Sequence, residues 1–368
     1  MDGELKGESM NIPVENIKEL LTAALDIEHA RETVVSVNIL IDESVDPEFQ
    51  VFVRSGFNST SANSRVLVSY FPTQTPDTSV ETDVAVIVAG TNPEVGALVA
   101  GFTEHDVPCM VVCEDAQAVV ALANEQNTPI PDSALVSFAD PDRSETAHDK
   151  LSDLIGTWIV DNTPEEKKLA FSIAYPFVRR PLAYDAINKT SIQNAGFGVL
   201  IFIPGADMPV MTINQAKMVL QIAAAYGEPL DADRIKELAA MLAGAFFFRG
   251  ISRSLVGLVP ALGWAIKGGM GYLGTQAIGH AALEYFQNGG NAAGVAAIVG
   301  DARDGLMKVV GVIRSHPTAE ATLAEAGPTA RKFALKALDK VAPVVQSAAK
   351  QTVANAGSVV SSRLGRKK

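Results

Sequence analysis

The sequence predicts an α/β unit followed by an all-helical one, on three observations. β-branched apolar runs alternate with helix-length segments as far as residue 162. From Pro164 the helical period stands alone. Charge changes sign at the same place: residues 1–165 hold 29 Asp and Glu against 7 Lys and Arg, net −22, and residues 166–368 hold 13 against 23, net +10, together the −12 of the chain. A chain of 368 residues exceeds what one hydrophobic core usually organises. The expected organisation is an acidic α/β domain over 1–163, a helical domain over 164–290, and an Ala-rich helical extension with a basic tail over 291–368.

The acidic half opens with a helix from Val14 to about Arg31, whose Ile17, Leu20, Leu21, Ala24 and Leu25 share one face. Runs rich in β-branched residues follow at VVSVNILID, QVFVR and RVLVSYF. DVAVIVAG then precedes the helix-like NPEVGALVAGFTEHD, PCMVVCED precedes AQAVVALANEQN, and SALVSFAD precedes RSETAHDKLSDLIGTWIVDN. Strands alternating with such helices predict βαβ units and a mostly parallel sheet covered on both faces. Cys109 and Cys113 are the only cysteines. In a strand they stand roughly 13 Å apart, beyond disulfide reach, so both are expected as buried thiols. The N-terminus, MDGELKGESM, lacks the basic and apolar regions of a signal peptide, and a cytosolic-facing protein is expected.

The order strand, helix, VVCED, helix, VSFAD, helix over residues 65–162 resembles the later half of a small GTPase domain. There the resemblance implies a guanine-reading Asn-Lys-x-Asp motif; this chain has Cys113, Glu114, Asp115 and Ala116 instead, without the lysine. A P-loop is also missing. Its G-x-x-x-x-G-K-[ST] pattern converges backbone amides on phosphates while Lys and a hydroxyl handle charge and magnesium, and no Gly-Lys-Ser/Thr occurs. The nearest glycine pair, Gly90 and Gly96, has the wrong spacing, and Asn92 reads as a helix cap before Pro93. The implied domain is a degenerate GTPase-like one.

Other chemistry finds no motif. His29, His105, His148, His280 and His316 are scattered without zinc-ligand spacing, and no G-x-S-x-G elbow is present. The dense carboxylates of the first half read as a solvated surface. No catalytic, metal or cofactor-binding residue is assigned, and no cofactor is expected.

In the second half, Pro176 and Pro181 should interrupt a connecting helix around Arg179 and Arg180. NAGFGVLIFIPGADMP offers about ten apolar residues, half of a bilayer span. Gly205, Asp207 and Pro209 mark a structural turn, and Gly227 suits the end of the next helix. EPLDAD starts another helix at about Asp231 or Asp233. Gly271, Thr275 and Gly279 recur every four residues, a small stripe for close helix packing within the chain or for self-association. Arg249, Arg253 and Lys267 bracket the apolar LVGLVPALGWAI. A cation at a bilayer centre costs roughly 2.5 to 3.5 kcal/mol, so a shallow hairpin with cationic ends, or a buried helical core, is expected rather than an independent span. The segment from Gly327 carries 9 Lys and Arg against Asp339. Within it Lys332, Lys336 and Lys340 flank an apolar stripe suited to anionic lipid or to the acidic domain.

The blocks IPGADMPVMTINQAKMVLQIAAAYG, AFFFRGISRS, LVPALGW and GYLGTQAIGHAALEYF, in that order over about residues 165–290, resemble the bacterial domain-of-unknown-function family 697. The resemblance implies a helical domain that accompanies GTPases and is often associated with the inner membrane; it implies no reaction. The expected protein is therefore a non-enzymatic accessory protein with a GTPase partner, docked at the cytoplasmic membrane surface. Alternatives are a soluble oligomeric scaffold, and a nucleotide binder or enzyme with a non-P-loop site. Nucleic acid is not an expected partner, because the basic segments lack interleaved aromatics.

Overall fold

A computed structural model describes residues 14–59, 61–137, 145–200, 207–230 and 263–289. Five strands form one parallel sheet in the order β2-β1-β3-β4-β5: β1 Val35–Asp42, β2 Ser64–Phe71, β3 Val84–Val88, β4 Cys109–Cys113 and β5 Leu135–Ser137. The helices are α1 Val14–Arg31, α2 Pro47–Gly56, α3 Val95–Glu104, α4 Ala116–Glu125, α5 Glu145–Asn162, α6 Glu165–Ala174, α7 Arg179–Leu200, α8 Asp207–Ala225 and α9 Gly263–Gln287. The expected mixed α/β architecture with a parallel sheet is present.

Alternation along each strand sorts the core into two layers. Leu40, Ala85, Ile87, Val111 and Cys113 face α3 and α4, where Val99, Phe102, Val119 and Ala123 cover them. Val37, Ile39, Ile41, Val86, Val88 and Val112 face the other way, onto Phe49 and Val53 of α2 and Ile155 and Ile159 of α5. That second layer extends past residue 163. It continues through Leu169, Phe171, Tyr175 and Leu182 to Val219, Leu220 and Phe286, so sheet and helical segments share one apolar cluster.

Two expectations change. QVFVR is not a strand; it lies inside α2. Asp46 accepts hydrogen bonds from the amides of Glu48 and Phe49, Pro47 occupies the first turn, and Phe49 and Val53 form the buried face. A capped start with i, i+4 burial overrides the β-branched preference of the run. In α1, Leu21 and Leu25 are exposed, at 44% and 71%, while Ala24 is buried with Leu20 and Ile27 packed beside it. The buried arc of Leu20, Ala24 and Ile27 is centred to one side of the expected face, which leaves Leu21 and Leu25 outside it.

The connecting helix breaks at Pro176 in a 3₁₀ turn, Pro176–Val178, and Pro181 falls in the first turn of α7, where its missing N–H costs nothing. Pro209 lies in the first turn of α8 and Asp207 is its first residue. Gly227 ends α8 at φ +84°, where its N–H reaches Ala224 and that of Glu228 reaches Ala223, a left-handed termination that glycine permits. Gly205, Asp231 and Asp233 lie outside the described residues.

The small stripe of α9 meets α7. A Cβ on Gly271 would stand 2.6 Å from the Asn194 carbonyl oxygen, and one on Gly279 would stand 2.5 Å from Ile187. Thr275 is fully buried; its hydroxyl donates to the Gly271 carbonyl at 2.7 Å and accepts from Asn194 Nδ2 at 2.9 Å and Gln215 Nε2 at 3.0 Å. Within the chain the stripe is thus packed closely against α7.

Gly271→Ala should lower stability by about 1 to 3 kcal/mol because backbone must move aside. Gly274→Ala, on the same helix with nothing within 4 Å of the new methyl, should be neutral or stabilise by up to about 1 kcal/mol. Urea unfolding of the two variants checks the contrast, which equal shifts would contradict.

Candidate functional site

In open α/β sheets ligands bind beyond the carboxyl ends of the strands, where the strand order reverses. Here that point lies between β1 and β3, which are neighbours while β2 extends the sheet on the other side of β1. β1 ends in Asp42, 1% exposed. Its Oδ1 accepts from the Ser44 amide at 2.9 Å, and its Oδ2 accepts from the amides of Gly90 at 2.9 Å and Asn92 at 3.0 Å. The Ser44 hydroxyl accepts from the Thr91 amide at 2.8 Å. The amides that could cradle an anion at this crevice are therefore bound by the chain's own oxygens. Gly90 makes the closure tight: a Cβ there would meet Ser44 Oγ at 2.5 Å and Asp42 Oδ2 at 3.1 Å.

Two of the neighbouring helix starts carry a carboxylate cap. Asp46 caps α2, and Asp115 caps α4 by accepting from the Ala118 amide at 3.0 Å. Asn92, expected to cap α3, instead accepts from the Glu94 amide at 2.9 Å, making a turn before the helix begins at Val95. Helix N-termini favour anions through exposed amides and the helix dipole. At α2 and α4 a carboxylate already accepts from some of those amides, α3 carries no side-chain cap, and Glu43, Glu48, Glu94 and Glu114 add further negative charge nearby.

Sequence reasoning placed no site at Asp42. Its one visible signal was an acid directly ending the buried run VNIL-I. Gly96, the second glycine of the pair, serves packing: a Cβ would stand 2.0 Å from the Thr128 carbonyl oxygen. Cys109 and Cys113 are buried and free, and burial pushes their thiols up to about 12 and about 11, which makes them poor nucleophiles.

A second cleft, about 310 Å³, lies between α5 and α7, lined in part by Asp153, Thr157, Arg180, Tyr184 and Asn188. Arg180 donates to Asp153 Oδ2 at 3.1 Å, and its guanidinium sits 5.6 Å from the Tyr184 ring centre. Burial raises the Asp153 carboxyl against the opposing pull of Arg180. Beside it, Asp185 and Glu165 are shared by Lys168 and Lys189. These are paired charges at the rim of a helix packing seam, with no nucleophile and base held together.

Behind the cleft, Asn188 Oδ1 accepts from Gln276 Nε2 at 3.1 Å, and Gln276 Oε1 lies 3.1 Å from His280 Nε2. His280 packs edge-on to Tyr184, and burial depresses its pKa to about 4.

Among the expected contact residues, Lys267 lies within α9, while Arg249, Arg253, Lys332, Lys336 and Lys340 fall outside the described residues. Opposite charges of the two halves do meet: Lys167 pairs with Asp83, Lys217 with Glu19 at 2.6 Å, and Arg180 with Asp153. Asp83 also accepts from the Ser36 amide and hydroxyl, and the Tyr175 hydroxyl meets Ser64 Oγ at 2.9 Å, fastening α6 and its following turn to the strand starts. Among the described residues no group of three or more His, Cys, Asp and Glu could hold a metal ion, and no helix is long and apolar enough to cross a membrane.

No protein-family model, curated protein or solved structure matches the chain. The residues therefore carry the functional argument.

Asp42→Ala leaves three amides without their acceptor and should destabilise the fold by about 3 kcal/mol, measured by chemical denaturation; an unchanged midpoint would show that the closure contributes nothing. His280 binds a proton more weakly folded, at about 4, than unfolded, at about 6.5. The unfolded state is thus the first to protonate as pH falls. Stability should decline from pH 6.5 towards 4, at most by about 1.4 kcal/mol per pH unit. Between pH 6.5 and 5 His280→Gln should flatten that slope, as read from urea midpoints.

Proposed function

We propose that this chain is a non-catalytic interaction protein that accompanies a GTPase at the cytoplasmic face of a membrane. In this reading the α/β half is a degenerate GTPase-like domain used for recognition, and the helical half docks on anionic lipid. The observation that carries the non-catalytic part is the buried Asp42 carboxylate bound to the Ser44, Gly90 and Asn92 amides. A phosphate would have to displace a buried charge from three hydrogen bonds and then sit among acidic side chains, a replacement that electrostatics opposes at both steps. The P-loop and guanine-reading lysine are absent from the sequence, in agreement.

The GTPase partner rests on the resemblance to family 697 and on the topology of the sheet. The membrane part rests on the basic second half, with Arg249, Arg253, Lys267, Lys332, Lys336 and Lys340 as the contact residues. With no helix among the described residues suited to crossing a bilayer, the docking proposed is peripheral, through cations and short apolar segments.

Two measurements test the two parts separately. Calorimetric titration with GTP, GDP and ATP should give no binding at micromolar concentrations; micromolar affinity for any of them would restore the nucleotide-binding alternative. In co-sedimentation, the protein should pellet with vesicles containing phosphatidylglycerol, remain in solution with phosphatidylcholine alone, and lose the first behaviour when Lys332, Lys336 and Lys340 are replaced by Glu. Indifference to anionic vesicles would contradict the membrane part.

A further inference from the structure

β2 is the outer strand of the described sheet, with a neighbour only on the β1 side. An open strand edge is a template for another strand unless charge, proline or a cap protects it. The backbone groups of alternate residues face the open side, and Tyr70 identifies which: its N–H donates to Gln74 Oε1 at 2.9 Å and its carbonyl accepts from the Gln74 amide at 2.8 Å. Phe71, one residue on, faces β1 and accepts from the Glu43 amide. Ser64, Val66, Val68 and Tyr70 therefore present backbone outwards.

The two ends of this set are engaged. Tyr70 is held by Gln74, and the Ser64 N–H donates to the Ser61 carbonyl at 3.3 Å. Among the described residues no hydrogen bond engages the outward backbone groups of Val66 and Val68 between them. Residues 64 and 70, like 66 and 68, are symmetric about Leu67. Leu67 and Val68 are 52% and 39% exposed, on opposite faces of the sheet.

We infer that β2 pairs antiparallel with β2 of a second copy of this chain, across a two-fold axis through Leu67. In that register Val66 of each copy lies opposite Val68 of the other, and each such pair exchanges two hydrogen bonds. Leu67 meets its own copy as a non-hydrogen-bonded pair on one face, and the valines cover one another on the other face. The next outward pair would be Ser64 opposite Tyr70, where both strands are already engaged, so the engaged positions end the pairing on both copies at once.

Within the strand this register sets no like charges opposite one another. The strand Ser64–Phe71 contains no acid in a half that carries −22. Its single cation, Arg65, falls opposite Ser69 of the other copy rather than opposite itself. The remaining acidic surfaces of the two copies repel at longer range, so added salt strengthens the contact. The pairing is short, well below the roughly 1,200 Å² of a stable standard interface unless flanking surface joins it; the dimer is weak and reversible.

This inference is independent of the nucleotide and membrane readings, and its test is separate from theirs. Sedimentation equilibrium of the full chain, from low micromolar to near-millimolar concentration, should show a reversible monomer–dimer equilibrium that tightens with added sodium chloride. Leu67→Lys, which sets two cations on the axis, should weaken it at least tenfold, whereas Ile192→Lys, at a more exposed apolar site on α7, should not. Leu67→Cys should form an intermolecular disulfide under mild oxidation, since facing residues of such a pair approach to about 4.5 Å between Cα atoms. Val51→Cys, exposed on α2, should not. A monomer at every concentration, an oligomer that Leu67→Lys leaves intact, or equal crosslinking at positions 51 and 67 would overturn it.

Discussion

The central strands of this parallel sheet have no face to give to water, and the described helices are arranged around covering both. α3 and α4 cover one. The other receives α1, α2 and α5, and then the helices beyond residue 163, whose Phe171, Tyr175 and Leu182 pack into the same cluster as Ile39 and Val86. Each fully buried Val, Leu, Ile or Phe contributes about 1.5 to 3 kcal/mol. The Lys217 and Glu19 pair, with side chains 39% and 49% exposed, falls in the class that contributes at most about 1 kcal/mol. Apolar continuity, then, holds the helical segments to the sheet, and the opposite charges of the two halves orient a contact already made.

That balance explains what could be read beforehand. The runs at 35–42, 64–71, 84–88 and 109–113 are rich in β-branched and apolar residues, and with the helix-length segments between the later ones they marked strands of a mostly parallel sheet. QVFVR misled because its residues suit a strand while its fate is set three residues upstream, by Asp46 and Pro47, whose capping role is local geometry rather than composition. Leu21 and Leu25 misled because a helix buries an arc, and the sequence does not say where the arc is centred. The spacing of Gly271, Thr275 and Gly279 announced a close helix approach, but spacing is silent about whether the other helix belongs to the same chain.

The candidate site was less legible still. Asp42 looks in sequence like one of many acids in an acidic half, and only the fold brings it beside Gly90 and Asn92, nearly fifty residues on. What separates it from surface carboxylates is burial with three backbone donors, a combination no linear pattern contains. Asp46 and Asp115 cap the starts of α2 and α4, so with Asp42 they set three carboxylates on backbone amides at the end of the sheet that commonly receives phosphate.

The most direct test is amide hydrogen exchange at Gly90 and Asn92, with and without GTP, GDP or inorganic phosphate. If Asp42 closes the crevice, both amides exchange slowly in the free protein and none of the three ligands alters their rates. Fast exchange in the free protein that slows when nucleotide or phosphate is added would show an open anion site and would contradict the account.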